Sequence, residues 1–245
     1  MKLESKTIVL TGPSSGVGLE LLRQLGHDNI IIGLSRHAPP TEVVSRAKDY
    51  RHITTDLADS ANVAAALAEI HQCQPASLDG LINCAAVQFT PRFIDDDFDP
   101  ARIAREIAIN LTSPIELIAG LLDPLSCGAA PFIMNINSGL GLVPKHESAV
   151  YCATKAGLDN FTRGLRPQLA SVGIMVQQAF LPLVDTPMTE GRGNAKLSPS
   201  DVAGRIIRAI ERRRLDTDIG KVKLLRKINR LSPALAHRIM QKGGQ

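Results

Sequence analysis

Tyr151 and Lys155 stand four residues apart in Tyr151-Cys152-Ala153-Thr154-Lys155, and Ser138 precedes them in Asn137-Ser138-Gly139. On a helix this spacing puts the phenol and the ammonium on one face, one turn apart. A tyrosine with a pKa of about 10 is a poor acid or base at neutral pH, and a neighbouring cation favours its phenolate. The pair therefore reads as a proton-handling device.

A second set of residues lies near the amino terminus, in Thr11-Gly12-Pro13-Ser14-Ser15-Gly16-Val17-Gly18. It follows an apolar run of strand length and opens a helical pattern. Gly12 makes the turn, Gly16 and Gly18 admit close approach, and Ser14, Ser15 and Val17 complete a loop. Such a loop brings main-chain amides to a pyrophosphate at a helix N-terminus. A dinucleotide held at one place and a proton handled at another together predict hydride-transfer chemistry.

Two further positions bear on the nucleotide. The second strand ends in Leu34-Ser35-Arg36, with no carboxylate where a ribose 2′-hydroxyl would need one. Arg36 would fork a 2′-phosphate, favouring NADP(H) over NAD(H), although a lone basic residue is also ordinary surface. Asp56 and Leu57 follow the third strand. Asp56 would hold the adenine amino group or serve as a loop cap, and both readings stand.

The elements that must position these residues follow from periodicity. Apolar runs of strand length at Thr7–Thr11, Asn29–Ser35, His52–Thr55, Gly80–Cys84, Pro131–Asn137 and Met175–Phe180 alternate with helical patterns. The helices are predicted at Gly16–Leu25, Thr41–Lys48, Ser60–Gln72, Pro100–Leu125 and Ser148–Ala170. This order predicts an α/β fold, a Rossmann-type doubly wound parallel sheet with helices on both faces. With 245 residues, 44% of them hydrophobic and only 3% aromatic, one domain with an aliphatic core is expected. The loops Val87–Asp99 and Leu183–Pro199 fall at the carboxyl edge of the sheet, and Phe89, Phe93, Phe98, Leu183, Val184 and Met188 predict an apolar pocket there.

Composition narrows the remaining classes. Cys73, Cys84, Cys127 and Cys152 are widely spaced, which points to buried thiols in a reducing cytoplasm and to neither zinc nor disulfides. Asp95-Asp96-Asp97 reads as solvated loop, and no metal site is expected. The first residues, Met1-Lys2-Leu3-Glu4-Ser5-Lys6, lack an apolar leader, so a cytoplasmic protein is expected.

The net charge of +4 comes from the end of the chain, where residues 221–245 are basic without an acid. They are read as a tail beyond a catalytic domain of residues 1–220. Leu224, Leu225, Ile228 and Leu231 recur at helical spacing among Lys221, Lys223, Arg226, Lys227 and Arg230, and Pro233 breaks the pattern. This amphipathic helix would lie on an anionic membrane, bind an acidic partner such as a carrier protein, or dock on its own domain. With few aromatics to stack on bases, no nucleic-acid partner is expected.

Taken in order, Thr11 to Gly18, Asn83, Asn110, Ser138 and Tyr151-x-x-x-Lys155 resemble the short-chain dehydrogenase/reductase family in its compact form, from Lys6 to about Arg214. The resemblance implies an NAD(P)-dependent enzyme that interconverts a small-molecule carbonyl and a secondary alcohol. Tyr151 would pass the proton, Ser138 would orient the carbonyl oxygen, and Lys155 would tune Tyr151 and hold the nicotinamide ribose. Asn110 would hold a water that links Lys155 to solvent. Asn83 and Ala85 would flank the nucleotide, and Thr186 would meet the nicotinamide carboxamide. The same resemblance implies a homodimer or homotetramer assembled through the two long helices. It also leaves open an epimerase or dehydratase on the same site, or a nucleotide-sensing binding protein.

Two positions depart from the family pattern. The family's Asn-Asn-Ala-Gly is here Asn83-Cys84-Ala85-Ala86, and its Pro-Gly falls on Leu181-Pro182. Each places a side chain where a glycine would stand beside the cofactor.

Overall fold

The computed structural model describes residues 1–73 and 77–242. In chain order the elements are β1 (Thr7–Thr11), α1 (Gly16–Leu25), β2 (Ile30–Ser35), α2 (Thr41–Val44), β3 (Asp49–Thr54), α3 (Ser60–Gln72) and β4 (Gly80–Asn83). There follow α4 (Ala101–Ile107), α5 (Ser113–Gly120), α6 (Leu122–Ser126), β5 (Phe132–Ser138), α7 (Ala149–Ala170) and β6 (Met175–Leu181). The chain continues through α8 (Pro199–Glu211), β7 (Asp216–Asp218), α9 (Val222–Leu231) and α10 (Pro233–Lys242).

The strands form one seven-stranded sheet in the order β3-β2-β1-β4-β5-β6-β7, parallel throughout. The chain works outward from β1 to β3 and returns to β4 on the other side of β1. At that reversal the connections leave β1 and β4 in opposite directions and open a crevice above their carboxyl ends.

Alternation along each strand divides the core in two. Ile8 and Leu10 pack with Leu21 and Leu22 of α1 and with Val202 and Ile206 of α8. Val9, Leu81 and Ile133 face the other way, onto Val63 and Ile70 of α3, Leu117 of α5 and Leu165 of α7. Burial on both faces is why these strands read as unbroken apolar runs.

Buried amides interrupt that pattern in β5 and β6. Asn83 donates to Asn135 at 2.9 Å, and Asn135 donates to Thr162 of α7 at 2.9 Å. Asn137 donates to Gln178 at 3.2 Å, and Gln178 donates to Asp159 of α7 at 2.7 Å and to Asp216 of β7 at 2.9 Å. Unlike apolar contacts, paired buried polar groups admit only one register. They fix α7 against β5, and with it the residues at the start of α7.

Several boundaries follow from local chemistry. Asp59 accepts a hydrogen bond from the Ala61 amide at 2.9 Å, capping α3, and Asp99 does the same for Ala101 at 3.0 Å ahead of α4. The helix expected over Thr41–Lys48 stops at Val44, because the chain turns to let the Lys48 amide reach the Gly26 carbonyl at 2.7 Å and enter β3.

The single helix expected from Pro100 to Leu125 is three helices, with a π turn at Ala108–Thr112 between α4 and α5. Pro114 has no N–H to give the Asn110 carbonyl four residues back, so a regular helix loses a bond at that point. α8 and β7 lie beyond the elements read from sequence. Ser198 caps α8 by accepting from the Asp201 amide at 3.1 Å, and β7 is a polar edge strand whose Asp216 is held by Arg166 at 2.6 Å.

The basic tail docks on its own domain. Val222 is buried, Arg226 forks Asp218 with two bonds of 2.7 Å, and its guanidinium lies 4.3 Å above the Phe180 ring. The helix breaks at Ser232, as Pro233 requires, and α10 returns with Ala236 buried. Among the described residues no helix is long and apolar enough to cross a membrane.

Candidate active site

The crevice above the sheet is a cleft of ≈ 970 Å³ running from the glycine turn to Tyr151. At its first end Gly12 and Gly16 have φ of +71° and +54°, a region that disfavours side chains. A Cβ on Gly18 would stand 2.0 Å from the Gly12 carbonyl oxygen, so the loop closes on itself only with glycine there. Thr11 Oγ1 accepts from the Cys84 and Ala85 amides, both at 2.9 Å, and ties the end of β1 to the end of β4. The Ser15 side chain does not cap α1, and no acid lies in the first turn. The first amides of α1 are therefore left to an anion.

Ser14, Ser15, Gly16, Val17 and Gly18 all line this end, with Ser35, Arg36, Asp56 and Leu57 beyond them. Arg36 is exposed, and its charge reaches Asp56. The Asp56 carboxylate caps its own turn through the Ala58 amide at 3.0 Å and accepts from Arg105 at 3.2 Å. Burial works against the carboxylate, yet these bonds hold its pKa below the usual range. Ala85, Ala86, Leu181 and Pro182 stand along the cleft wall, and Thr186 packs across it against Gly16. Asn83 is the exception among the nucleotide candidates, because its amide points into the sheet toward Asn135 and away from the cleft wall.

At the other end β5 delivers Ser138 and α7 delivers Tyr151 and Lys155, all three buried and all on the cleft. Ser138 Oγ accepts from the Leu140 amide at 3.1 Å, which leaves its O–H free to donate. Lys155 Nζ donates to the Ile136 carbonyl at 3.0 Å and lies 5.8 Å from the centre of the Tyr151 ring.

Electrostatics at this end differ from the sequence expectation. Burial pushes Tyr151 up to about 12, opposed by the Ser138 hydroxyl and the Arg192 charge. Burial likewise brings Lys155 down to about 8. Burial thus favours the protonated phenol and weakens the hold of Lys155 on its proton. Desolvation, which spacing along a helix does not reveal, is the largest influence on the phenol.

Asn110 is fully buried on the π turn. Its side chain clamps the loop after β4, accepting from the Val87 amide at 2.9 Å and donating to the Val87 carbonyl at 2.8 Å. It also donates to Thr154 of α7 at 3.3 Å. With that amide occupied, any water at Asn110 falls to its main-chain carbonyl, to which Pro114 has no N–H to give.

Several cleft residues escaped the sequence reading. Gln88 donates to Ser148 at 3.1 Å, Lys145 pairs with Glu147 at 2.9 Å, and Arg192 lines the cleft near enough for its charge to act on Tyr151. Glu106 is buried behind the loop, accepting from the Phe89 amide at 3.0 Å. Leu224, Leu225, Ile228, Ile239 and Met240 of the tail complete the wall. The helical periodicity of Leu224, Leu225 and Ile228 was legible, whereas the surface they cover was not.

A sequence profile of the family described as short chain dehydrogenase matches residues 6–196. The chain is 32% identical over 193 residues to the oxidoreductase DltE of Bacillus subtilis, covering 78% of this chain and 76% of DltE. It is 31% identical over 191 residues to cis-4-hydroxycyclohexanecarboxylate dehydrogenase of Sinomonas cyclohexanicum, covering 76% of each. In three dimensions it is similar to a short chain dehydrogenase from Burkholderia cenocepacia crystallised with NADP. The TM-score is 0.86 at 20% identity, over 98% of this chain and 99% of the other. The glycine turn, the parallel sheet and the convergence of Ser138, Tyr151 and Lys155 thus meet a family match over most of the sequence: this chain is an oxidoreductase of the short-chain dehydrogenase/reductase family.

Proposed function

We propose that the protein reduces a ketone to a secondary alcohol, or runs the reverse oxidation, with NADP(H) as the hydride carrier and Tyr151 as the proton donor. The observation that carries this reading is that Ser138, Tyr151 and Lys155 meet at one end of the cleft whose other end is the glycine turn. The nicotinamide supplies hydride in reduction and accepts it in oxidation. The α1 amides and the Gly12–Gly18 loop would hold the pyrophosphate, Arg36 the 2′-phosphate, and Thr186 and Lys155 the nicotinamide riboside. NADP bound to the Burkholderia cenocepacia relative supports NADP(H) as the carrier.

Around the substrate the residues divide the work. Ser138 donates to the carbonyl oxygen and orients it, and Tyr151 protonates that oxygen as it gains charge. The phenolate left behind is stabilised by Ser138 and Arg192. Lys155, lowered to about 8, returns the proton through water at the Asn110 carbonyl. The secondary alcohol that names the Sinomonas cyclohexanicum dehydrogenase fits the same reaction. Cys73 and Cys127 are exposed, not buried as expected, and four free thiols still suit a reducing compartment; the outer faces of α4 and α7 are where subunits would pair.

The test is NADPH consumption with a panel of ketones, wild type against Tyr151→Phe. Turnover that the substitution removes supports the reading. A substitution without effect on turnover contradicts it.

A further inference from the structure

The substrate end of the cleft is lined mainly by aliphatic side chains: Leu183, Val184 and Met188 after β6, and Leu225, Ile228 and Ile239 of the tail. Among them stands one guanidinium, that of Arg192. The loop carrying it turns through left-handed backbone, with φ of +70° at Gly191 and +56° at Gly193, and is pinned by the Arg192 amide to the Thr189 carbonyl at 3.1 Å. Arg192 is half-buried, and among the described residues its side chain makes no hydrogen bond or ion pair.

The groups around it do not complete it. Tyr151 and Glu147 are the neighbours whose negative forms favour its charge, against the loss of water that disfavours it. Glu147 is already held by Lys145 at 2.9 Å, and Tyr151 is a neutral phenol until it has given up its proton. A guanidinium half withdrawn from water without a partner gains from one, and its planar fork matches a carboxylate.

We propose that Arg192 binds a carboxylate of the substrate, so that the enzyme acts on oxo acids and hydroxy acids. The carbonyl would lie between Ser138 and Tyr151, and the carboxylate would sit within a few bonds of it. This inference rests on the reductase reading above and names its substrate class. Arg192 is then a specificity-determining residue, and the aliphatic wall takes the remainder of the substrate.

The test uses the full chain with NADPH and a series of 2-, 3- and 4-oxo carboxylates beside their methyl esters. The readout is the ratio of kcat/KM for acid over ester. For at least one chain length wild type should favour the acid by about a hundredfold, the worth of a charge-assisted pair. Arg192→Met should collapse that ratio, and Arg192→Lys should restore part of it. Equal use of acid and ester by wild type would overturn the proposal. So would an Arg192→Met variant that lowers both alike, or one that weakens NADPH binding and leaves the ratio unchanged.

A binding measurement separates this proposal from the reading beneath it. Butyrate is titrated calorimetrically into the NADPH-saturated wild type and into Arg192→Met. Butyrate binding that requires Arg192, in a protein that reduces no carbonyl compound, would uphold the anion site and sink the reductase reading. Reduction of neutral ketones without any binding of butyrate or use of oxo acids would do the opposite.

Discussion

Around the glycine turn the cleft wall is main chain: Gly12 rests on Ala85, Gly18 on the Gly12 carbonyl, and α1 presents bare amides. At the Tyr151 end the wall is side chains drawn from β5, α7, the loop after β6 and the two tail helices. A backbone wall has one shape and no room for an added atom. A side-chain wall can be recut by substitution without disturbing the sheet beneath it. One fold can thereby keep its cofactor while its substrate changes, and the two ends should respond differently to mutation.

The largest contrast is expected from Tyr151→Phe, which removes one oxygen at the side-chain end. It should lower carbonyl reduction by about a thousandfold, the usual worth of a positioned acid, with NADPH affinity held within a few-fold. Turnover within tenfold of wild type would assign the proton to another group. Gly18→Ala adds one carbon at the backbone end, 2.0 Å from the Gly12 oxygen. It should destabilise the fold by roughly 1–3 kcal/mol, as overpacking does, and weaken NADPH more than substrate. Thermal melting and nucleotide titration would check both, and an unperturbed variant would show that the loop has slack.

A smaller effect is expected where the tail is anchored. Arg226→Met removes the Asp218 fork and should raise the substrate KM by about tenfold through a loosened α9, leaving NADPH affinity in place. A matching loss of NADPH affinity would mean that the two ends are not independent.

The smallest is a titration. Tyr50 and Tyr151 are the only tyrosines, and burial raises both, Tyr151 to about 12. The folded chain should show little tyrosinate absorption at about pH 10, where free tyrosine is half ionised. Between there and about 12 the folded state binds more protons than the unfolded one, so this contribution to stability is intact below about pH 10 and is lost as the pH rises. Half ionisation at about pH 10 would place Tyr151 in a wetter site.

The same division explains what the sequence disclosed. Gly16–Leu25 and Ser60–Gln72 were legible to the residue because their signals are local: a glycine turn before one, the Asp59 cap before the other. The break at Ala108–Thr112 was present in Pro114, but a continuous apolar period concealed it. α8 carries a readable start in Ser198-Pro199-Ser200-Asp201, which the preceding loop obscured. Arg192 could not be read at all. Its loop has no period, and its significance lies in a charge that acts on Tyr151 across a chain separation that no spacing rule reaches. The upward push of burial on Tyr151 was not legible for a related reason, since burial is a property of the assembled fold.

The measurement that tests the central claim most directly is the affinity of NADPH and NADH, followed by nicotinamide fluorescence, for wild type and Arg36→Asp. The account predicts that wild type prefers NADPH by at least about tenfold and that Arg36→Asp abolishes or reverses the preference, as expected when a guanidinium reads the 2′-phosphate. If neither nucleotide binds, Ala86 and Pro182 close the nicotinamide site and the oxidoreductase account fails.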